Sequence, residues 1–372
     1  MIAAVLRGMR HLGTQWATTT VMKAMTAMRP GRGGGGCGIH FDANGMQFVR
    51  IMRTPGSGRL RLDVYGAAAL EDDMLRGALI VKPEAVARRL EELLERLGTR
   101  AQALQDDAIV LALPSHGLKT QVIDCPADLP PRALRAWCER RAALLLPGDG
   151  DLDMRSRVGV AWADPGSHRL RLYACEATPV DDRLAVLEMS GLRAQAIDAA
   201  HQAGRRAFLW AQGAERRTSA SSDHDAVVPD ASIGQVRISA PGALLQIDAQ
   251  TLDLAVFDGE VCVGDVRERY DGVRGHPEAL ASVVRDLTRA LPVAPRVIDV
   301  ATQGASPAEL VAICDAVADA CRVAVRPFDP LATFEGSDPA GAHQESFVPR
   351  AALAVPCGLA LRAISMQGVA CG

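Results

Sequence analysis

The chain of 372 residues is poor in aromatics, at 4%, and carries no surplus of positive charge, its formal net charge being −3. The first lack leaves Ala, Val and Leu to build the core, within a hydrophobic fraction of 48% that excludes disorder throughout. The second removes the electrostatic case for nucleic acid, whose phosphates call for a surface rich in Lys and Arg. No apolar run reaches 18 residues, so no segment reads as a membrane-spanning helix. The nine cysteines include no Cys-x-x-Cys pair. Scattered and odd in number, they read as buried thiols in a reducing compartment. The eight histidines show no helical pairing that would ligate zinc, so no metal site is expected.

Residues 1–36 stand apart. Their first 32 positions hold Arg7, Arg10, Lys23, Arg29 and Arg32 but no acidic residue. Arg7, Arg10 and His11 interrupt any secretory core, so the segment reads as a disordered or mis-started basic leader; the alternative is a basic amphipathic helix on acidic lipid. The glycine run 33–36 precedes a strand instead of joining strand to helix, so it reads as a linker and not as a P-loop or dinucleotide fingerprint.

From residue 37 the pattern becomes regular. Residues 37–53 and 59–68 alternate as strands around TPGSG, with FDANG marking a further turn inside the first run. PEAVARRLEELLERLG sets Val86, Leu90, Leu93, Leu94 and Leu97 on one helical face, opens at Pro83 and stops at Gly98. DAIVLALP is apolar throughout, as a strand covered on both faces would be. A strand (GLKTQVIDCP), a helix (PRALRAWCERRAALLLP) and two strands (VGVAW, RLRLYAC) then form a small α+β insert at about 115–178. A helix near 181–190 and GLRAQAIDAAHQAGRRAFLW complete a first lobe at 37–212, and the polar run 213–238 reads as a flexible interlobe loop. In 239–364 the theme returns: a hairpin turning at Asp258-Gly259, a helix carrying Leu280, Val283, Val284, Leu287 and Leu291 inward, then strand, turn and helix. FDANG (41–45) and IDAQT (247–251) begin the two halves alike, which indicates an internal duplication; residues 365–372 are read as a tail.

These phrases resemble the actin and sugar-kinase superfamily, and within it the PilM family of type IV pilus assembly, itself similar to FtsA. The resemblance runs from about residue 36 to 364. It rests on Leu113-Pro114 and Cys125-Pro126 closing two strands, Leu146-Pro147 leading to Asp153, Gly191-Leu192 leading to Ile197-Asp198 and then Arg206, and the terminal Gly358 to Arg362. It implies an α/β, bilobal actin-like ATPase fold of two duplicated lobes with the α+β subdomain inserted in the first.

The resemblance also implies where ATP would lie. In ATP-binding members each lobe opens with a strand, an Asp, an apolar residue and a Gly, with a Lys following in the first lobe. The two Asp hold magnesium and its waters, Gly admits backbone N–H groups to the phosphates, and Lys offsets their charge. By strand length these positions are His40, Asp42 and Gln47 in the first lobe, with Gln246 and Asp248 in the second. A register shifted by two restores Asp42 and Asp248 but puts Asn44 and Gln250 at the glycines and Val49 at the lysine. The adenosine-cradling Gly-Gly turn is Thr302-Gln303-Gly304, with one glycine of two. In the first register carboxylates face polyphosphate, a contact repulsive by about 1 kcal/mol at ~4 Å even in water.

Other chemistry is weaker. Asp149, Asp151 and Asp153 have the opening spacing of a calcium loop but lack its Gly and its closing Glu, and Ser115-His116 lacks the glycine frame of a nucleophile elbow. The expectation is therefore a non-catalytic scaffold without cofactor. What the resemblance implies for it is a place on the cytoplasmic face of the inner membrane, through the N-terminal tail of a PilN-like protein, among other pilus-assembly proteins, with self-association open. The tail would lie between first lobe and insert, at Leu113, Pro114, Leu118, Leu134 and Trp137. The alternatives are an ATP-binding or hydrolysing PilM with Asp42 and Asp248 as metal ligands, or the related component of a type II secretion or DNA-uptake (competence) machine.

Overall fold

A computed structural model describes residues 34–43, 45–126, 129–146, 156–162, 169–222, 241–270, 276–336 and 349–369. The leader to residue 33, the calcium-like Asp149, Asp151 and Asp153, and the loop from 223 to 238 lie outside the described residues.

The first lobe opens on β1 (Gly36–Asp42), β2 (Gly45–Arg53) and β3 (Leu60–Ala68), an antiparallel meander. A short pair, β4 (Leu75–Arg76) and β5 (Leu79–Ile80), leads to α1 (Pro83–Arg96). Val86, Leu90, Leu93 and Leu94 of α1 are buried, the face its spacing sets inward. Strand β6 (Ala108–Leu113) is buried at every position, as befits a strand lying parallel to β1 on one side and β10 (Ala196–Ala199) on the other.

Between β6 and β10 comes the insert: β7 (Lys119–Asp124), α2 (Pro131–Ala143), β8 (Ser156–Trp162) and β9 (Arg169–Glu176), its sheet ordered β7-β9-β8. Cys138 and Ala142 of α2 are buried with Leu170, Leu172 and Ala174 of β9, and Leu134 and Trp137 pack at the edge of that cluster. Helix α3 (Thr178–Met189) returns the chain to the lobe.

Helix α4 (Ala200–Ser222) is longer than its composition suggested. Residues 213–222, read as loop, continue it, because Ala214, Glu215, Arg216 and Arg217 favour helix enough to carry it through the first serines. The second lobe follows with β11 (Gly242–Ile247), β12 (Thr251–Asp258), β13 (Val261–Arg269), α5 (Pro277–Ala290), β14 (Val297–Thr302), α6 (Pro307–Cys321) and β15 (Ala324–Pro327). Helix α7 (Ala354–Val369) ends the described chain, so residues 365–369 are helix and not tail.

The duplication is visible in the sheets, ordered β10-β6-β1-β2-β3 and β13-β12-β11-β14-β15. Gly36 pairs with Ile51 and lies beside Ala108; Gly242 pairs with Phe257 and lies beside Val297. His40 and Gln246 therefore occupy equivalent places, as do Asp42 and Asp248.

One apolar cluster joins the two sheets, with Val49, Ile51 and Leu62 from the first, Leu244, Ala255 and Phe257 from the second, and Phe208 and Leu361 from the helices between. Helix α7 lies against β1 and α4 at close range. A Cβ on Gly38 would sit 1.9 Å from the Pro356 carbonyl oxygen, and one on Gly358 would sit 1.8 Å from that of Ala203. The linker glycines also differ from expectation: Gly36 belongs to β1, where a Cβ would meet the backbone of Ala360. The glycines of the opening stretch thus admit a helix.

Candidate functional site

The two equivalent strand ends, β1 and β11, converge on the cleft between the lobes. On the first side His40 is fully buried, with Asp42 and Gln47 each 4% exposed. His40 Nε2 stands 3.7 Å from Asp42 Oδ2, and Gln47 Nε2 donates to the same oxygen at 3.5 Å. Burial drives the His40 imidazole down to about 4; a contact with Gln303 opposes this and the Arg183 guanidinium adds to it. His40 is therefore neutral at ordinary pH, and neither ring nitrogen makes a well-formed hydrogen bond. It supplies no anionic oxygen to a magnesium shell.

Arg183, on α3, is buried behind this position and donates to the carbonyl oxygens of Ala112, Ala78 and Pro179. Its desolvation lowers its pKa to about 10.

On the second side Gln246 stands at the place equivalent to His40. Its Nε2 donates to the His201 carbonyl at 2.9 Å, and its Oε1 lies where a Cβ on Gly204 would stand, 1.8 Å away. Asp248 closes its own turn, accepting from the backbone N–H groups of Gln250 and Thr251 at 2.8 and 2.6 Å and from Thr251 Oγ1 at 2.6 Å. Gln303 is 8% exposed beside it, while Gly304, in the left-handed region at φ 82°, is exposed.

Ser115, His201, Gln246, Asp248, Thr251, Asp253 and Gln303 line a cavity of ≈ 20 Å³ here. That holds about one water, where small-molecule sites run to roughly 300–1,000 Å³. Among the described residues, no group of three or more His, Cys, Asp or Glu could hold a metal ion.

Sequence reasoning missed His201, which the fold brings to Ser115: Oγ and Nδ1 are 3.2 Å apart, whereas the neighbouring His116 is not part of this pair. The pair is poorly suited to nucleophilic catalysis. Burial first, then Arg267, Arg205 and Arg171, push the imidazole well below its usual value, so accepting the serine proton would create a cation beside three others.

Also missed was a lattice at the cleft's rim. Arg205 on α4 grips Asp253 Oδ1 through Nη2 and Nε at 2.8 and 3.2 Å and Asp265 Oδ2 through Nη1 at 3.1 Å. Arg267 takes Asp253 Oδ2 through Nε and Nη2 at 3.1 and 3.0 Å, and Arg171 of the insert forks onto Asp265 at 2.9 and 3.1 Å. A signal existed in TLDLAVFD, where Asp253 interrupts an apolar strand; a lone inward carboxylate calls for a buried partner.

The residues expected to line a partner groove lie largely within the fold's own cores. Leu113 and Leu118 are 3% and 6% exposed in the first-lobe core, and Pro114 is buried between them. They end and follow the central strand, so the sheet covers them. Leu134 and Trp137 are half-buried against the insert's own core. The exposed apolar side chains of this region are Val122 at 40% on β7, Leu129 at 37%, and Leu144 at 75% just past α2.

The quoted motif residues also find their places. Asp198 is fully buried, and its Oδ2 meets Arg206 Nη2 at 2.9 Å and Arg362 Nη1 at 2.8 Å. Arg206 further donates to the Gly358 carbonyl at 3.0 Å. Phrases far apart in sequence thus form one buried joint between α4, α7 and β10.

The profile of a family described as type IV pilus assembly protein PilM matches residues 38–239. No curated protein matches. Among solved structures, the PilM-PilN type IV pilus biogenesis complex aligns with a TM-score of 0.67 at 17% identity, over 88% of this chain and 98% of that chain. A protein of actin-like ATPase fold from Bacteroides thetaiotaomicron aligns at 0.43 and 7% identity, over 78% and 90% of the two chains. The ethanolamine utilization protein EutJ from Carboxydothermus hydrogenoformans aligns at 0.41 and 13%, over 90% and 91%. With a bilobal actin-like fold and a profile match across more than half its length, the chain belongs to the PilM family of type IV pilus assembly proteins.

Proposed function

We propose that this protein is a non-catalytic PilM-type scaffold that works without nucleotide. In this reading it sits on the cytoplasmic face of the inner membrane by capturing the N-terminal cytoplasmic tail of a PilN-like protein. The observation that carries it is the interlobe cavity of ≈ 20 Å³, narrowed by Gln246 where the relatives' pattern calls for Asp. His40 is neutral and Asp248 is engaged in its own turn, so these residues do not fit magnesium–ATP. The partner is suggested by the likeness to a PilM solved with PilN. No helix among the described residues is long and apolar enough to cross a membrane, which is consistent with a borrowed anchor.

The capture surface is moved outward from the buried residues named earlier. Among the described residues strand β7 pairs only with β9, leaving one edge of the insert sheet open, and its side chains from Lys119 to Val122 are exposed. An extended tail can add there by backbone pairing, with Val122 offering apolar contact. The test is titration of a synthetic PilN-like tail against the full chain without nucleotide: saturable binding, weakened about tenfold by Val122→Asp, is expected. No binding without nucleotide, with binding once Mg–ATP is added, would overturn the reading.

A further inference from the structure

The Arg–Asp lattice joins three parts of the fold: Arg171 belongs to the insert, Arg205 to the helix between the lobes, and Asp253, Asp265 and Arg267 to the second lobe. Arg205 and Asp253 are 7% and 3% exposed; Arg171, Asp265 and Arg267 are 20–22% exposed. Arg267 Nη1 also reaches Thr120 Oγ1 of β7 at 3.4 Å. Both carboxylates lie below the ordinary range, burial raising them and the guanidiniums more than reversing it. Three cations and two anions in a near-dry site make a rigid joint, because each planar guanidinium fixes the carboxylate it forks. Moving the insert from the second lobe would break the Arg171–Asp265 fork and strand a half-buried charge on each side.

We infer that Arg171, Arg205, Arg267, Asp253 and Asp265 are positioning residues that clasp the insert and second lobe together, and that the clasp fixes the β7 edge for its partner. In a chain whose cleft does not fit a nucleotide, side chains supply the bridge across it. The inference deepens the scaffold reading and rests on it only for the partner. Arg205 is the obvious target, but its loss leaves two buried carboxylates and risks the fold. The Arg171–Asp265 fork, less buried, is the place to cut.

The test uses the full chain with two genetically encoded spin labels at the exposed Glu176 of the insert and Glu260 of the second lobe. The parent is expected to give one narrow distance distribution. Arg171→Met and Asp265→Asn are each expected to widen it at least about twofold, with the double variant no wider than Asp265→Asn alone, since that change already weakens both the Arg171 fork and the Arg205 contact to the same carboxylate. Thermal melting checks that each variant remains folded. A parent-like distribution in both folded variants would overturn the clasp. The tail titration is run in parallel, where Arg171→Met is expected to weaken binding about tenfold; unchanged affinity alongside a widened distribution would overturn the positioning role. If the tail binds neither parent nor variant, the partner reading fails while the distances still decide the clasp. If Mg–ATP renarrows the distribution in Arg171→Met, the clasp stands and the nucleotide-free reading falls.

Discussion

His40 is a neutral, buried imidazole, and its pH response follows from that. In the unfolded chain it takes up a proton below the ordinary histidine value of about 6.5, whereas in the fold it stays neutral to about 4. The unfolded state therefore binds more protons between these values, so stability is full above 6.5 and drains as pH falls toward 4. The loss attributable to His40 is about 3 kcal/mol. Urea unfolding of the parent and His40→Asn between about pH 7.5 and about pH 4 measures it, the variant being expected to lose correspondingly less. Parallel losses would contradict the assignment.

Gly358 makes a second residue-scale case. Its missing Cβ is what lets α7 approach α4, and Gly358→Ala would place a methyl 1.8 Å from the Ala203 carbonyl oxygen. Backbone on both sides leaves little room to yield, so a cost of about 3 kcal/mol is expected, read as a lowered melting temperature. A melt within a degree or so of the parent would show that the helices part easily.

Between elements, the joint of Asp198, Arg206 and Arg362 binds β10, α4 and α7. Burial raises the Asp198 carboxyl, and Arg362 and Arg206 more than reverse this, leaving it below its ordinary value. A depressed native carboxylate contributes stability that is present above the unfolded Asp value near 4 and is lost as pH falls through the native one. Asp198→Asn keeps the shape but strands two guanidiniums, and should cost about 3–5 kcal/mol by chemical denaturation at neutral pH. A loss below about 1 kcal/mol would mean the joint is not structural.

This is also the scale at which sequence and structure can be compared. Strands and helices with one dominant period were legible: β6 as an apolar run, α1 and α5 as amphipathic helices, and the insert as strand, helix and two strands. The end of α4 was not, since polar helix formers and loop formers share much of their composition. The cleft was legible only as departures from a family pattern at His40, Gln47 and Gln246. The lattice of Arg205 with Asp253 and Asp265 escaped because its members lie on three elements whose meeting is set by tertiary packing. The burial of Leu113 and Leu118 was not legible for the same reason, apolar character alone giving no sign of which side of the sheet is covered.

For the whole molecule, the two lobes keep the duplicated architecture of the actin-like fold, with equivalent strand ends in both sheets. His40 and Gln246 stand at one equivalent pair, Asp42 and Asp248 at the other, and the cavity that Gln246 and Asp248 line with Ser115 and His201 admits about one water. Phe208, packed on Phe257 and Phe328 with ring centroids 5.2 and 5.8 Å apart, continues the core across the cleft's floor. The side-chain lattice closes its rim. Each is a contact between lobes made by the chain's own side chains, as the proposed scaffold would need.

The most direct measurement is calorimetric titration of the full-length protein with Mg–ATP. The expected result is no saturable heat up to about millimolar nucleotide, where even weak sites of about −4 kcal/mol begin to fill. Saturable micromolar binding would contradict the proposal that this actin-like cleft works without nucleotide.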